Sequence, residues 1–174
     1  MRINHGDKTT MSANPIIAIT TQPGCDLYDH EIDWQPFAGV ENLELTLCDL
    51  DEERHVVDLM VRFAPNKIVT MHNHLAQTNM LIIQGELRMY EPDGSTREVR
   101  PAGRYYRGRT DDAHSEGGGP DGAVVFYSMR CDGARDVLEI MDEAANVQAT
   151  LTMDDVRAAW EAQQRARPAR RVGA

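Results

Sequence analysis

The sequence predicts an all-β domain, an antiparallel sandwich or barrel, followed by one C-terminal helix. Short apolar runs rich in β-branched residues recur from Ile16 onward, and their side chains alternate with a period of two. Turn-forming Gly, Pro, Asn and Asp residues separate these runs. Only after residue 150 does the apolar period change to that of a helix. Strands this short and regularly spaced are typical of antiparallel sandwiches and barrels.

The predicted strands follow one another through short connections. We expect turns at 85–86, 92–95 and 101–103, and a loop over 117–122. The strands are IIAIT at 16–20, LELTLCDL at 43–50, HVVDLMVRF at 55–63, IVTMHNH at 68–74, NMLIIQ at 79–84, LRMYE at 87–91, TREVR at 96–100, RYYRG at 104–108 and AVVFYSMR at 123–130.

The C-terminal helix has a clear start and end. Thr152 and Asp155 have the spacing of a capping box, and Met153, Val156 and Trp160 form an apolar stripe that Pro168 terminates. We therefore divide the chain into four parts. They are a flexible leader at 1–14, a barrel at 15–150, a helix at 151–167 and a disordered basic tail at 168–174.

Composition limits the classes of function. A chain of 174 residues suits one domain, and 28 acidic against 18 basic residues give a net charge of -10. Such a field repels phosphate backbones and anionic lipid, so we expect no nucleic-acid or membrane partner. No apolar run approaches the roughly 20 residues of a spanning helix. Three widely spaced cysteines, Cys25, Cys48 and Cys131, indicate no disulfide framework, and we expect a cytoplasmic protein.

Two histidines lie two positions apart in one predicted strand. His72 and His74 therefore point to the same face of the sheet, and neutral imidazoles are good ligands for zinc, iron, nickel or copper. Two ligands hold such an ion weakly, so a third is required. Taken alone, the pair is better explained as a chance pair on a solvent-facing strand.

The surrounding residues resemble the cupin superfamily, whose first motif runs G-x5-H-x-H-x3-4-E-x6-G. Here it reads Asn66, His72, His74, Thr78 and Gly85, with every spacing matched. Asn replaces the first glycine and Thr replaces the glutamate. The resemblance implies a jelly-roll barrel of antiparallel strands.

The second cupin motif runs G-x5-P-x-G-x2-H-x3-N, and here it reads Gly103, Arg109, Asp111, His114 and Gly118. The first glycine and the histidine match, whereas the proline, second glycine and asparagine do not. The resemblance covers roughly residues 43–130. It implies one divalent metal held by three histidines, His114 being the third, with open positions for water or substrate.

The missing glutamate is the most informative departure from the family. In cupins this residue is usually an anionic fourth ligand, but the stretch around Thr78 contains no carboxylate. Three neutral imidazoles would leave the full charge of the ion to attract an anionic chelating substrate. Gln77 is a possible fourth ligand, and Thr78 could orient a water. A degenerate barrel without metal is the alternative.

The sequence is also similar to three-histidine cupins without glutamate. The pattern from Pro101 to Arg107 resembles acetylacetone-cleaving and dihydroxyacetophenone dioxygenases and the cupin domain of an anti-sigma regulator. This resemblance implies an Fe(II) dioxygenase that cleaves a C–C bond in a small β-diketone-like or hydroxy-keto substrate bound as its enolate. Zinc or nickel remains possible, in an isomerase or hydrolase. A barrel that senses metal or small molecules and regulates a partner is the third hypothesis.

The alternation of side chains with a period of two also predicts a substrate pocket. Core packing is the alternative for each of its residues. The predicted pocket residues are Thr78, Met80, Ile82, Met89, Tyr105 and Phe126.

Glu116 lies two positions after His114 on the same predicted face. Its carboxylate could orient an imidazole, act in acid–base chemistry or lie in solvent.

We expect a homodimer or higher homo-oligomer, although the helix could simply pack on its own barrel.

Overall fold

The computed structural model describes residues 32–37, 39–131 and 135–166. The predicted class is confirmed, since this part of the chain consists of antiparallel strands and one C-terminal helix. The strands are β1 Gln35–Pro36, β2 Leu43–Asp51, β3 Val56–Phe63, β4 His72–His74, β5 Gln77–Tyr90, β6 Thr96–Pro101, β7 Tyr105–Arg107, β8 Ser115–Arg130, β9 Asp136–Met141 and β10 Val147–Thr152, and the helix is α1 Met153–Ala166.

Two antiparallel sheets build the barrel. The larger has the strand order β1-β2-β3-β8-β5-β6, with β7 also paired to β5, and the smaller has the order β10-β9-β4. Alternate residues of β3 are buried, among them Val57, Val61 and Phe63, and they pack with Val125 of β8 and Val137 of β9. The core therefore lies between the two sheets, as in a jelly roll.

The turn predicted at Gly85 is wrong, because β5 continues from Gln77 to Tyr90. Gly85 instead has a φ of 68° beside register shifts in the β5–β8 pairing. A Cβ atom there would lie 2.1 Å from the carbonyl oxygen of Gly122. Glycine is required at this point because two backbones approach closely, and the chain does not reverse direction.

The loop predicted over 117–122 lies inside β8. Leu87 is opposite Gly118, whereas Gly85 is opposite Ala123, so the pairing skips residues 119–122. A Cβ atom on Gly117 would lie 2.0 Å from the carbonyl oxygen of Lys67. The glycines thus form an irregular stretch within a paired strand, which period-two reasoning cannot distinguish from a connection.

Two departures from the family motifs have a backbone explanation. Asn66 replaces a motif glycine and has a φ of 53°, and Asp111 replaces another with a φ of 57°. Asn and Asp are the residues that best tolerate this left-handed region after glycine. Gly103, which matches the motif, has a φ of 81°. The backbone conformation typical of glycine is therefore kept at both substituted positions.

Helix α1 begins at Met153, two residues after the predicted start, and the predicted capping box is present there. Thr152 and Asp155 exchange capping hydrogen bonds, with the Thr152 amide donating to Asp155 Oδ2 over 2.9 Å. Met153 and Val156 are buried, and Trp160 packs against the core. In the described part of the chain, no helix is long and apolar enough to cross a membrane.

One side chain fastens the far end of α1 to the barrel. Gln163 is buried, its Oε1 accepts from the Leu47 amide over 2.9 Å, and its Nε2 donates to the Leu47 carbonyl over 2.8 Å. The carboxamide therefore pairs with β2 as another strand would. The leader, the predicted strand at 16–20, Cys25 and the tail at 168–174 lie outside the described residues.

Candidate metal centre

Backbone pairing brings two distant histidines together. His72 of β4 and His114 form a bridge in which each amide donates to the other's carbonyl, over 2.9 and 3.0 Å. Their imidazole ring centroids lie 4.6 Å apart. Because His74 is two residues beyond His72, its ring lies on the same face, 5.0 Å from that of His72.

A carboxylate joins the three histidines. The ligand atoms of His72, His74, His114 and Glu116 all lie within 4.8 Å of one another, and all four residues are buried. Glu116 Oε1 is 3.5 Å from His72 Nε2, and Oε2 is 3.9 Å from His114 Nε2. The sequence suggests a site with neutral ligands only, and the structure corrects this interpretation. Glu116 supplies the acidic group from the second motif, two residues after the histidine.

Each imidazole has an oxygen partner on its Nδ1 atom. His72 Nδ1 lies 3.1 Å from the Thr70 carbonyl and His114 Nδ1 lies 2.6 Å from the Asp112 carbonyl, so both must donate. His74 Nδ1 lies 3.0 Å from Thr78 Oγ1, whose hydroxyl proton is directed to the Ala76 carbonyl. These contacts place a proton on each Nδ1, so Nε2 is the atom through which each imidazole, in its neutral form, would bind a metal.

The charges within the cluster are strongly coupled. Burial lowers the pKa of His74 to about 3, with help from His72, and burial also lowers the pKa of His114. Burial acts in the same direction on His72, but the hydrogen bond to Glu116 and its charge outweigh this and raise that pKa. Burial opposes ionisation of Glu116, yet the three histidines bring its pKa to about 2. The cluster is therefore an anion surrounded by imidazoles that stabilise it.

The unpaired atoms fit a metal ion. His74 Nε2, His114 Nε2 and Glu116 Oε2 are buried and have no hydrogen-bond partner among the described residues. Buried polar atoms normally have partners, and these three belong to one tight cluster. Three imidazole nitrogens and a carboxylate are a suitable ligand set for a divalent transition metal.

The two residues considered for the place of the missing glutamate have other contacts. The Gln77 amide donates to the Gly108 carbonyl over 2.8 Å, and Glu116 supplies the fourth ligand atom of the cluster. Thr78 is buried and contacts the imidazole of His74. Thr78 therefore orients the imidazole of His74, a candidate metal ligand, through its Nδ1 atom.

An apolar cavity of about 130 Å³ adjoins the cluster, and His72, His74 and Glu116 form part of its wall. Most of the wall is aliphatic and comes from β2, β3 and β9. Of the residues predicted to line the pocket, Thr78, Met80, Ile82 and Met89 are buried, but they lie outside this wall. Sequence reasoning did not find the residues that line this cavity, which include Leu47, Leu59, Val61, Val69, Val137, Leu138, Ile140, Leu151 and Val156.

The prediction for Tyr105 and Phe126 as pocket residues is wrong. Tyr105 is 66% exposed, and both residues pair with Leu81, which is itself 39% exposed. Residues directly opposite in an antiparallel pair share a face, so all three lie on the outer face of the sheet. The neighbours Tyr106 and Tyr127 have the opposite phase, and Tyr127 lines the cavity.

The fold is that of a cupin, and the buried cluster of three histidines and one glutamate is a candidate metal site. The model of the ChrR cupin-like domain matches residues 27–130, and the chain belongs to this family. A search of curated proteins finds no match.

Several solved structures share the fold. An acetylacetone dioxygenase from Acinetobacter johnsonii aligns over 92% of this chain and 99% of its own, with a TM-score of 0.63 and 12% identity. An RmlC-like cupin from Ralstonia eutropha aligns over 83% and 88%, with a TM-score of 0.64 and 15% identity. The polyketide cyclase RemF from Streptomyces resistomycificus aligns over 80% and 92%, with a TM-score of 0.50 and 15% identity. At these identities the likeness shows the fold alone.

Proposed function

We propose that this cupin is an Fe(II)-dependent dioxygenase that cleaves a C–C bond in a small β-diketone-like substrate. The observation that carries the proposal is the cluster of three histidines and one glutamate beside a small apolar cavity. His72, His74 and His114 would hold the ion with Glu116. When bound, the ion would act as a Lewis acid that favours the enolate of the substrate.

Charge balance favours a monoanionic substrate. A divalent ion with neutral histidines and ionised Glu116 keeps one positive charge, and one enolate would cancel it. Uncompensated charge is costly in an apolar cavity, so a dianion would be disfavoured. The negative charge of Glu116 therefore narrows the expected substrate class from anionic chelators in general to monoanionic ones.

The apolar wall selects for size and polarity. A cavity of about 130 Å³ suits a molecule of a few carbon atoms, and its aliphatic residues offer few hydrogen bonds. Only the oxygen atoms of a β-diketone require polar partners. His72, His74 and Glu116 form part of the cavity wall, so these oxygen atoms would lie beside the cluster. The alkyl groups would then contact side chains such as Leu59 and Val61.

Tyr127 has a supporting role beside the ligands. Burial raises the pKa of its phenol well above the usual value, and the charge of Glu116 adds to this. The hydroxyl therefore keeps its proton and donates to Glu116 Oε1 over 3.0 Å. Tyr127 would hold the carboxylate in place and exclude water from that side.

The test combines metal analysis with oxygen uptake. Protein purified without chelators should contain a stoichiometric transition metal, and the Fe(II)-loaded form should consume oxygen with β-diketones. Cleavage would convert a β-diketone and dioxygen into a carboxylic acid and a 1,2-dicarbonyl compound, so both atoms of ¹⁸O₂ should appear in the products. His114→Ala should lose metal and oxygen uptake, whereas His55→Asn, far from the cluster in sequence, should keep both.

Two outcomes would contradict the proposal. Unchanged metal content in His114→Ala would refute the ligand assignment. Bound iron without oxygen uptake on any β-diketone would refute the dioxygenase activity and favour a Lewis-acid isomerase or hydrolase at the same centre.

A further inference from the structure

The C-terminal helix forms part of the wall of the candidate active site. The lining of the cavity beside the cluster includes Leu151, Asp155, Val156 and Ala159, all in or next to α1. Nothing in the ligand set requires this helix, which lies outside the stretch that matches the family model. The helix therefore contributes to the cavity wall but not to the metal-binding cluster.

A groove of about 630 Å³ adjoins this cavity. The groove and the cavity share residues of β2, β9, β10 and α1, including Leu47, Ile140, Leu151 and Ala159. Ala159 is exposed, whereas Leu47 is buried. The groove and the cavity therefore share a boundary, and its residues range from solvent-exposed to buried.

The helix face at this boundary has small side chains. Ala159 contributes to both spaces, and Ala162 and Ala166 continue along the groove. The two hydrogen bonds between the Gln163 side chain and the Leu47 backbone hold this face at a set distance from β2. Buried Met153 and Val156 fasten the first turn of the helix in the same way.

We propose that substrates reach the metal centre through the groove between α1 and the barrel, and that Ala159 limits the size of the substrate admitted. A methyl group at this boundary leaves the passage open, and a larger side chain would narrow it. The inference rests on the proposed function for the class of molecule that passes, a small apolar β-diketone.

The first test compares Ala159→Phe with Ala158→Phe. Both alanines are exposed on α1, and Ala158 contacts neither space, so the control carries the same change in helix propensity. Zinc-loaded protein under anaerobic conditions should bind β-diketone enolates, and the rate of association is measured by stopped-flow ultraviolet absorbance. For diketones with longer alkyl chains, Ala159→Phe should slow association about tenfold relative to Ala158→Phe, with a smaller effect on the shortest diketone. Equal association rates for every chain length in the two variants would overturn the proposal.

The second test needs no substrate. The apolar chelator 1,10-phenanthroline should remove zinc more slowly from Ala159→Phe than from Ala158→Phe, by about tenfold if the groove is the main route. Equal rates would overturn the inference while leaving the metal site intact. Wild-type protein that binds zinc but no diketone would refute the proposed function, and the chelator rates would still test the passage. Wild-type protein that binds no metal would refute both.

Discussion

The hydroxyl of Tyr127 donates to Glu116 Oε1 over 3.0 Å, although both residues belong to strand β8 and lie eleven positions apart. Eleven residues of straight strand would span roughly 36 Å. The contact therefore requires β8 to bend between them, where the glycine-rich stretch 117–122 lies. Gly122 has a φ of 76°, and its Cα would lie 2.8 Å from a Cβ added at Gly118. The glycines thus bring a buried carboxylate and its donor together.

Tyr127→Phe should destabilise the metal-free protein by about 1–3 kcal/mol, because the buried Glu116 carboxylate loses a donor. Metal would compensate part of this loss, so the metal-loaded variant should be closer to the wild type. Urea unfolding with and without zinc measures both quantities. An equal loss in the two states would show that the hydrogen bond does not act through the metal centre.

Glu116→Gln should weaken metal binding roughly 10–100-fold, because an amide supplies no negative charge to the ion. Gln77→Ala should leave the affinity unchanged, since the Gln77 amide donates to Gly108. Competition with a coloured zinc chelator gives both affinities. If Gln77→Ala had the larger effect, Glu116 would not be the fourth ligand.

Thr78→Val should lower metal affinity roughly tenfold, because the hydroxyl that holds His74 Nδ1 is lost while the shape is nearly kept. Thr78→Ser keeps the hydroxyl and should restore most of the affinity. The same competition assay distinguishes the two variants. Similar losses in both would assign Thr78 a packing role only.

Gln163→Leu should destabilise the protein by about 1–3 kcal/mol, because the amide and carbonyl of Leu47 lose their partner at a buried site. Gln164→Leu is the matched control, since Gln164 is exposed on the same helix. Thermal unfolding followed by circular dichroism measures the difference. If the two variants were equally stable, the hydrogen bonds between Gln163 and Leu47 would contribute nothing to the docking of α1.

The metal-free protein should lose stability in acid partly through His74. Its pKa is lowered by burial from 6.5 to about 3, so below pH 6.5 the unfolded chain binds a proton that the folded chain does not. Protonation then favours unfolding, and this contribution of His74 falls as the pH decreases from 6.5 towards 3. The stability difference between wild type and His74→Gln, measured by urea unfolding at pH 7.5, 6 and 5, should shrink as the pH falls. A difference independent of pH would contradict the lowered pKa.

The sequence by itself determined most of the strands, the helix cap and the three histidines in register. These features depend on the period of the side chains and on fixed spacings in the sequence, which do not depend on how distant parts of the chain pack. Period two even placed Glu116 on the face of His114. Its part in the cluster depended on the His72–His114 bridge, which joins strands distant in the sequence.

Only the tertiary structure decided where the cavity lies. Most of the lining comes from β2, β3, β9 and α1, whereas the predicted pocket residues all lie on β5, β7 and β8. The phase of Tyr105 and Phe126 was set by their pairing with Leu81, and no local pattern records a cross-strand partner. Likewise, glycines at 117–122 suit a loop or a bent strand equally well. The choice between them is made by the backbone packed against them, such as the Lys67 carbonyl at Gly117.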